Sequence, residues 1–404
     1  MGQQIEQKGG GDRSELERYA ALLAEAKRIK GISLWRDAWR RLRRNRAAMV
    51  SLVFLILLSL LALSTPLLPL QSPSETNLDN TQSPPALTAA SMPLSDALAD
   101  HDKAVAALEA ERRQAASDNK RQDIDLQIEA MVRGSPLRKY WNNPGPMTRS
   151  MIRLRVMLFG DWCAPSIFGT DNLGRDVLSR LCWGARVSLV VGIVATLVSL
   201  VIGVSYGATA GYLGGRVDAI MMRIVDVIYS VPFIFVVIFL ITILSEESIR
   251  ERLNDIGIDQ VMIFYLLIGA IYWLTMARVV RGQVISLKNE QFVEAARTVG
   301  ASRMRIVFRH LIPNVMGIVI VYLTLTIPAV MRFEAFLSFL GLGVSPPDVS
   351  WGLLVNEGLQ DITPVKIYWW TVTASGMALA MTLFALSFLG DGMRDALDPR
   401  MKNR

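Results

Sequence analysis

The segment EQFVEAARTVGASRMRIVFRHLIPN, residues 290–314, decides how this chain is organised. It contains two Glu, four Arg and one His, and it lies between two apolar runs at residues 261–277 and 317–331. Each run has the composition of a membrane helix, because about 20 mostly apolar residues span a bilayer. The charged segment is therefore predicted to lie in water between two membrane spans.

The whole chain has the composition of a membrane protein. Of its 404 residues, 51% are hydrophobic, which is more apolar surface than a soluble protein of this length can cover. We predict an all-α polytopic membrane protein with six transmembrane helices. The predicted spans are residues 47–69, 187–212, 217–244, 261–277, 311–340 and 368–389.

Basic residues near the span ends predict that both termini lie in the cytoplasm. Positive charge beside a span is retained inside, and residues 33–48 are rich in Arg. The net charge of +7 then reports topology and attraction to anionic lipid, and no nucleic acid partner is expected. Trp35, Trp39 and Leu42 can share one helix face, which predicts a surface-lying helix before the first span. A solvated basic run is the alternative.

Composition divides the chain into regions. These are a basic cytoplasmic region 1–46, the first span 47–69, an extracytoplasmic insertion 70–182, a membrane core 183–391 containing the charged segment 287–312, and a cytoplasmic tail 392–404. The insertion begins with a Ser- and Pro-rich linker, and a helical hairpin capped by Ser95 and stopped by Gly134 comes next. Cys163 and Cys182 are predicted outside, where a disulfide can form; two unpaired cysteines are the alternative.

Small residues recur every four positions in the second predicted span. They form one stripe along which another helix can approach closely in a bilayer. The residues are Ala195, Ser199, Gly203, Gly207 and Gly211.

Prolines and charges mark other positions in the spans. Pro232 and Pro328 interrupt the third and fifth spans, either bordering a cavity or as static bends. Asp226 is predicted to form an ion pair, with Arg223 three positions before it, or to line a transport path. Glu334 lies near the outer end of the fifth span, where it reaches interfacial water or faces the path.

The charged segment itself is predicted to form a helix, a turn and a second helix. Phe292, Ala295, Ala296 and Val299 have the spacing of one apolar helix face. Gly300 allows the turn, because glycine tolerates the left-handed conformation that ends helices. Ser302 is placed to cap the second helix, and Pro313 is placed to open the fifth span.

This segment resembles the cytoplasmic loop of the membrane subunits of ATP-binding-cassette importers. The shared pattern is Glu294, Ala295, Ala296, Gly300 and Pro313, while His310 and Ile312 stand where the broad pattern prefers Ile and Leu. FRHLIPN at 308–314 resembles the dipeptide and oligopeptide branch. So do FGTDNLGRDVLSRLCWGARVSL (168–189), DAIMMRIVDVIYSVP (218–232), EAFLSFLGLGVSPPDVSWG (334–352) and LDPR (397–400). The resemblance covers residues 47–69 and 167–400.

The resemblance implies a permease subunit in the bacterial plasma (inner) membrane, with three kinds of partner. These are a second, similar permease subunit, two ATPase subunits that hold ATP and magnesium, and an extracytoplasmic binding protein. The chain has no Gly-Lys pair, hence no phosphate loop, and is predicted to be no enzyme and to hold no cofactor or metal. The implied sites are ATPase coupling (Glu294, Ala295, Ala296, Gly300, Arg303, Arg305), path or gate (Asp226, Pro232, Pro328, Glu334, Trp351) and outer docking (Asp171, Arg175, Asp176).

Peptides are the default substrate of this branch, although related systems carry other small solutes. An ion-coupled secondary carrier or channel is the main alternative, and it predicts inverted internal repeats, which the sequence does not show. An intramembrane enzyme would need a nucleophile with a base or a metal pair within the spans, and both His lie at predicted aqueous or interfacial positions.

Overall fold

The computed structural model describes residues 34–397 except 116, 142–143, 245, 247, 250–251, 254–259, 345, 347 and 365. The predicted region before residue 34 and the tail from residue 398 lie outside the described residues. The main helices are α1 (Leu34–Leu42), α2 (Arg46–Ser64), α3 (Ser95–Gln114), α4 (Asp118–Arg133), α5 (Pro136–Trp141), α6 (Pro146–Phe159), α7 (Val177–Leu213), α8 (Gly215–Ser230), α9 (Phe233–Leu244), α10 (Gln260–Leu287), α11 (Gln291–Thr298), α12 (Arg303–Phe339), α13 (Trp351–Gln360) and α14 (Trp369–Leu397). Two short strands, β1 (Ala90–Ser91) and β2 (Trp162–Cys163), pair antiparallel.

The all-α membrane architecture is confirmed. Within the described residues, four helices are long and apolar enough to cross a membrane: α2 with the turn after it, α7, α12 and α14. The pair α8 and α9 is bent by 78° and makes a fifth if it forms one span. The predicted span 261–277 lies in α10, which is outside that group. Six spans therefore stay a prediction.

Helix α7 is the centre of the membrane core and runs parallel to α10. Gly203 lies against Met276, Gly207 against Ala277 and Gly211 against Arg281, so residue numbers increase together along the contact. The backbones approach this closely because the glycines have no side chain. The predicted small-residue stripe is confirmed as a packing surface.

The other long helices alternate in direction around α7. Gly192 of α7 lies against Met331 of α12, whereas Val204 packs in one cluster with Val315, so α7 and α12 are antiparallel. Helix α14 is antiparallel to α2, since Gly392 lies against Ala48 near the start of α2.

A helix is present at the predicted position as α1, and its place on the membrane surface stays a prediction. Its Leu42 is buried against Ala396 at the end of α14, while Trp39 is half exposed. Helix α14 continues to Leu397, so the boundary predicted at residue 392 falls inside a helix. The described ends of the chain thus lie at the same end of the bundle.

The insertion contains the predicted hairpin, formed by α3 and α4, and α4 ends at Gly134. The prediction that Ser95 caps the hairpin is wrong. Ser95 is the first residue of α3, and the carboxylate of Asp161 accepts from the Leu94 and Ser95 amides at 2.9 and 2.8 Å. Cys163 and Cys182 are both free and buried, so no disulfide joins them.

Candidate functional site

The charged segment forms the predicted helix and turn. Helix α11 covers Gln291–Thr298, and Gly300 has a φ of +83°, the left-handed conformation that glycine adopts without strain. The Ala301 amide donates to the Ala296 carbonyl at 3.0 Å, which closes the helix end. Ser302 Oγ then accepts from the Arg305 amide at 3.4 Å. The turn at Gly300 and the cap at Ser302 are confirmed.

The buried face of α11 differs from the predicted one. Val293 is fully buried and Ala296 half buried, in a cluster with Ile306 and Leu311. Phe292, Ala295 and Val299 point outward, and Val299 is 88% exposed. The segment has two apolar faces, and the one that contacts the start of α12 is buried because α12 folds back over it. We name Phe292, Ala295 and Val299 the exposed face of α11.

The predicted second helix is continuous with the fifth span. Helix α12 begins at Arg303 and runs to Phe339, with π-helical geometry over Ile306–Leu311. Pro313 is the second residue of the α-helical part of α12, Ile312–Phe339, so its predicted place at a helix start is confirmed for that part. The π turn ends at Leu311, just before it, and a local π turn is one way in which a helix absorbs a missing amide donor. Movement of α11 would pass into the span through this turn.

Two contacts hold α11 to its neighbours. The Arg297 guanidinium lies 5.5 Å from the ring centroid of Tyr212, near the end of α7, and donates to the Lys288 carbonyl at 3.4 Å. Glu294, Arg303 and Arg305 are exposed. The segment thus exposes charged and apolar side chains, and it packs against the ends of α7, α10 and α12.

Asp226 forms the predicted kind of ion pair with a different partner. Its carboxylate accepts from Arg278 of α10 at 2.9 Å, and the Arg278 guanidinium lies 4.4 Å from the ring centroid of Tyr229. A second pair joins Asp218 to Arg281 at 2.5 Å. The two pairs show that α8 runs antiparallel to α10. The sequence favours Arg223 as the partner of Asp226 because Arg223 is close in the chain. A single sequence does not show that Arg278, on a distant helix, lies beside Asp226.

The two prolines have different effects. Pro232 separates α8 from α9 at the 78° bend, so the predicted kink is a full break. Pro328 is buried inside α12, which continues through it.

Glu334 and Trp351 are buried between α7, α12 and α13. Glu334 Oε1 accepts from Ser338 Oγ at 2.9 Å and from Ser350 Oγ at 2.7 Å. Trp351 Nε1 donates to the Leu181 carbonyl at 2.9 Å. Both side chains hold the start of α13 in the core, so neither reaches interfacial water in this structure.

The outer residues Asp171, Arg175 and Asp176 are buried, which corrects the expectation that their side chains are available for docking. Asp171 Oδ2 accepts from Arg175 at 2.8 Å and from Arg180 at 2.6 Å, and both Arg also contact Glu357 of α13. Two cations and two anions thus form a closed network between the loop before α7 and α13.

Sequence reasoning missed Arg180 and Glu357 as members of this network. One signal was present, since Arg175 lies four residues after Asp171 and Arg180 lies five residues after Arg175. Nothing local indicated Glu357, which is distant in sequence.

The chain matches a known protein family. The family model of the binding-protein-dependent transport system inner membrane component matches residues 200–403, about half of the chain. The chain belongs to this family. The model of the N-terminal transmembrane domain of oligopeptide transport permease C matches residues 33–85.

Similar proteins agree. The chain is 45% identical over 235 residues to the dipeptide transport system permease protein DppC of Bacillus subtilis, covering 58% of this chain and 69% of that protein. It is 42% identical over 233 residues to the oligopeptide transport system permease protein OppC of Escherichia coli K12, covering 58% and 72%. A chain of the MetNI methionine ABC transporter in inward-facing conformations aligns at a TM-score of 0.41, with 20% identity over 55% of this chain and 96% of that chain.

The protein is therefore a permease subunit of an ATP-binding-cassette importer, in the dipeptide and oligopeptide branch, and a multi-pass protein of the bacterial plasma membrane. This assignment supports the importer and not the ion-coupled carrier.

One buried carboxyl of this permease predicts a pH effect. Burial raises the pKa of Asp176 from 3.8 to about 6, although Oδ2 accepts from the Ser179 amide at 2.7 Å and caps α7. A raised pKa means that the folded protein binds this proton more tightly than the unfolded chain. The charge on Asp176 therefore lowers the free energy of unfolding by at most about 3 kcal/mol. This loss is complete above about pH 6 and absent below about pH 4.

We expect Asp176→Asn to be more stable than the wild type at pH 7, because an amide also caps a helix without carrying charge. The difference should vanish as the pH falls from 6 to 4, measured by thermal unfolding in detergent. Asp161→Asn is the contrasting variant. The Ser95 amide, the Leu94 amide and the Ser95 hydroxyl donate to Asp161 and lower its pKa. The ionised Asp161 carboxylate therefore stabilises the folded protein above about pH 4, and this stabilisation is lost in acid. Equal pH profiles for the two variants would contradict the assignment.

Proposed function

We propose that this permease carries peptides inward, driven by ATPase subunits that bind at α11. The observation that supports this most is the exposed face of α11, which is apolar although it lies outside the membrane spans. An unpaired apolar face beside exposed Arg303 and Arg305 is typical of a protein interface. Peptide as the substrate rests on the relatives, which are named as dipeptide and oligopeptide permeases.

Besides the exposed Arg303 and Arg305, the proposed coupling set consists of two groups. Ala295 lies on the exposed face of α11 and Glu294 beside it, where both would contact an ATPase. Ala296 and Gly300 would act indirectly, since Ala296 packs inward and Gly300 sets the turn into α12. Because α12 is continuous from Arg303, closure of two ATPases around ATP and magnesium would move this span as a unit.

The helix directions support six spans with both termini in the cytoplasm. Helices α7 and α10 run parallel, so the chain between them must cross back, and antiparallel α8 begins that return. Helices α2 and α12 then run outward, while α7, α10 and α14 run inward. On this topology the insertion lies outside and α11 inside. The five regions would then be a cytoplasmic start, the first span, an outer insertion, a membrane core that begins at Val177 and a cytoplasmic tail.

We place the transport path beside α8 and α9. The Asp226 side chain is 57% exposed, and a charge in a membrane helix avoids lipid. It would therefore face the path or a second permease subunit. The break at Pro232 and the buried Pro328 are the candidate hinges. Glu334 and Trp351 would act at the outer gate indirectly, by holding α13 in place. The binding protein would contact the insertion, whose outer surface includes the hairpin.

Co-purification tests the ATPase arrangement. Val299→Asp places a charge on the exposed face of α11, where the free chain tolerates it because Val299 is almost fully exposed. We expect the ATPase activity that co-purifies with the tagged permease in mild detergent to fall at least about tenfold, as for loss of an interface hot spot.

Leu126→Asp is the matched control, since Leu126 is an exposed apolar residue on α4 at the opposite end of the bundle. It should retain the ATPase. If both variants retain equal ATPase activity, α11 is not the docking site. If no ATPase co-purifies even with the wild-type permease, the proposed complex is wrong.

A further inference from the structure

Helix α6, in the insertion, has an exposed apolar face that the transport function does not use. Met147, Leu154 and Leu158 recur at helical spacing on one side, and Met157 lies beside them. Met157 is 84% and Leu158 64% exposed. Aqueous protein surfaces seldom keep such a continuous apolar stripe without a partner.

The remaining sides of α6 are occupied. Ile152 and Val156 pack into the insertion core with Trp183 of α7. On another side, Arg153 donates to Asp102 of α3 at 3.0 Å. The apolar face therefore points away from both the protein core and the hairpin.

Helix α6 lies level with the ends of the membrane helices. It packs against the turn Thr65–Leu67, which comes directly after α2. Thr148 at its start accepts from Arg186 of α7 at 3.5 Å. The apolar run of α7 is predicted to begin at residue 187, so Arg186 is expected at the edge of the bilayer. The start of α6, at Thr148, is then expected at the same depth.

The end of α2, next to the turn against which α6 packs, also has exposed apolar residues. Leu60 and Leu63 are exposed on the last turns of α2, and they belong to the lipid-facing side of a membrane span. At the other end of α6, Phe159 and Trp162 are also exposed, with ring centroids 6.3 Å apart. Tryptophan at such a position is typical of the membrane interface.

We propose that α6 is a membrane-surface helix that lies in the leaflet at the insertion end of α2, with its apolar face against phospholipid acyl chains. Helix α6 packs against the turn that follows the α2 span, and the last turns of that span expose Leu60 and Leu63 to lipid, which favours lipid over a protein partner. The inference rests on the protein being a membrane subunit and does not depend on its substrate or on the ATPase site. The helix would hold the insertion at a fixed height above the spans.

Spin labelling of the complete transporter in lipid nanodiscs tests this. Leu158→Cys and Met157→Cys place a nitroxide on the apolar face, and Leu126→Cys places one on the hairpin as the matched aqueous control. Both cysteines of this chain are buried, so within this chain the label goes to the new site, and the partner subunits are prepared from cysteine-free variants. Collision with oxygen reports lipid, and collision with a water-soluble nickel chelate reports water.

We expect the ratio of oxygen to nickel accessibility to be severalfold higher at residues 157 and 158 than at residue 126. A low ratio at both sites of α6, equal to the control, would show an aqueous face and overturn the proposal. Low accessibility to both reagents would also overturn it, because the face would then be covered by a protein partner. The second site keeps the test decisive if one variant fails to fold.

Discussion

Replacing Arg180 with methionine is expected to destabilise the permease by about 3–5 kcal/mol, the usual cost of breaking a buried ion pair by removing one partner. Arg180 is almost fully buried, and its Nη1 donates to Asp171 Oδ2 at 2.6 Å and to Glu357. Methionine keeps much of the side-chain length and removes the charge. Arg175 is then the one cation of the network beside the buried Asp171 and the partly buried Glu357, whose repulsion is no longer balanced.

The matched control is Arg112→Met in the hairpin. Arg112 pairs with Asp125 at 2.5 Å, but both side chains are about half exposed. Water solvates such a pair, so its loss should change stability by no more than about 1 kcal/mol. Thermal unfolding in detergent measures both. Similar shifts for the two variants would mean that the network around Arg180 is solvated and not a structural junction between α7 and α13.

Features that obey local rules were predictable from the sequence. Gly300 adopts its left-handed turn because α11 must end there, and Ser302 caps the start of α12. The hairpin ends where its helical composition ends, with Gly134 directly after α4. The small-residue stripe on α7 predicted close packing, although its partner, α10, was not identified from the pattern.

Features that depend on contacts between distant segments were not predictable. The cap of α3 comes from Asp161, and Asp226 pairs with Arg278 on another helix. The sequence predicts that Asp171 and Arg175 are available for docking. A single sequence does not show that Glu357 lies next to Arg175 in the fold and neutralises it. The buried side of α11 was not predictable for the same reason, since only tertiary packing decides which of two apolar faces is buried.

Replacing Gly207 with leucine is expected to prevent α7 and α10 from packing, at a cost above about 3 kcal/mol, the upper end for an overpacked core. A Cβ atom at Gly207 would overlap the carbonyl oxygen of Ala277 and lie 3.0 Å from the Ala277 Cα. These are backbone atoms, so no rotamer change relieves the clash and the helices must separate. Because α7 is the centre of the core, we expect little folded protein in detergent, measured by size-exclusion chromatography and thermal unfolding.

Gly282→Leu provides the control on the partner helix. Gly282 lies on α10, and a Cβ atom there meets nothing within 4 Å. Leucine also favours the helical conformation over glycine by roughly 0.5–1 kcal/mol, so this variant should be as stable as the wild type or slightly more so. The two substitutions add the same side chain to the same pair of helices, and they differ in whether the added atoms meet a backbone. If both variants fold equally well, α7 and α10 can separate without loss, and the small-residue stripe does not hold them together.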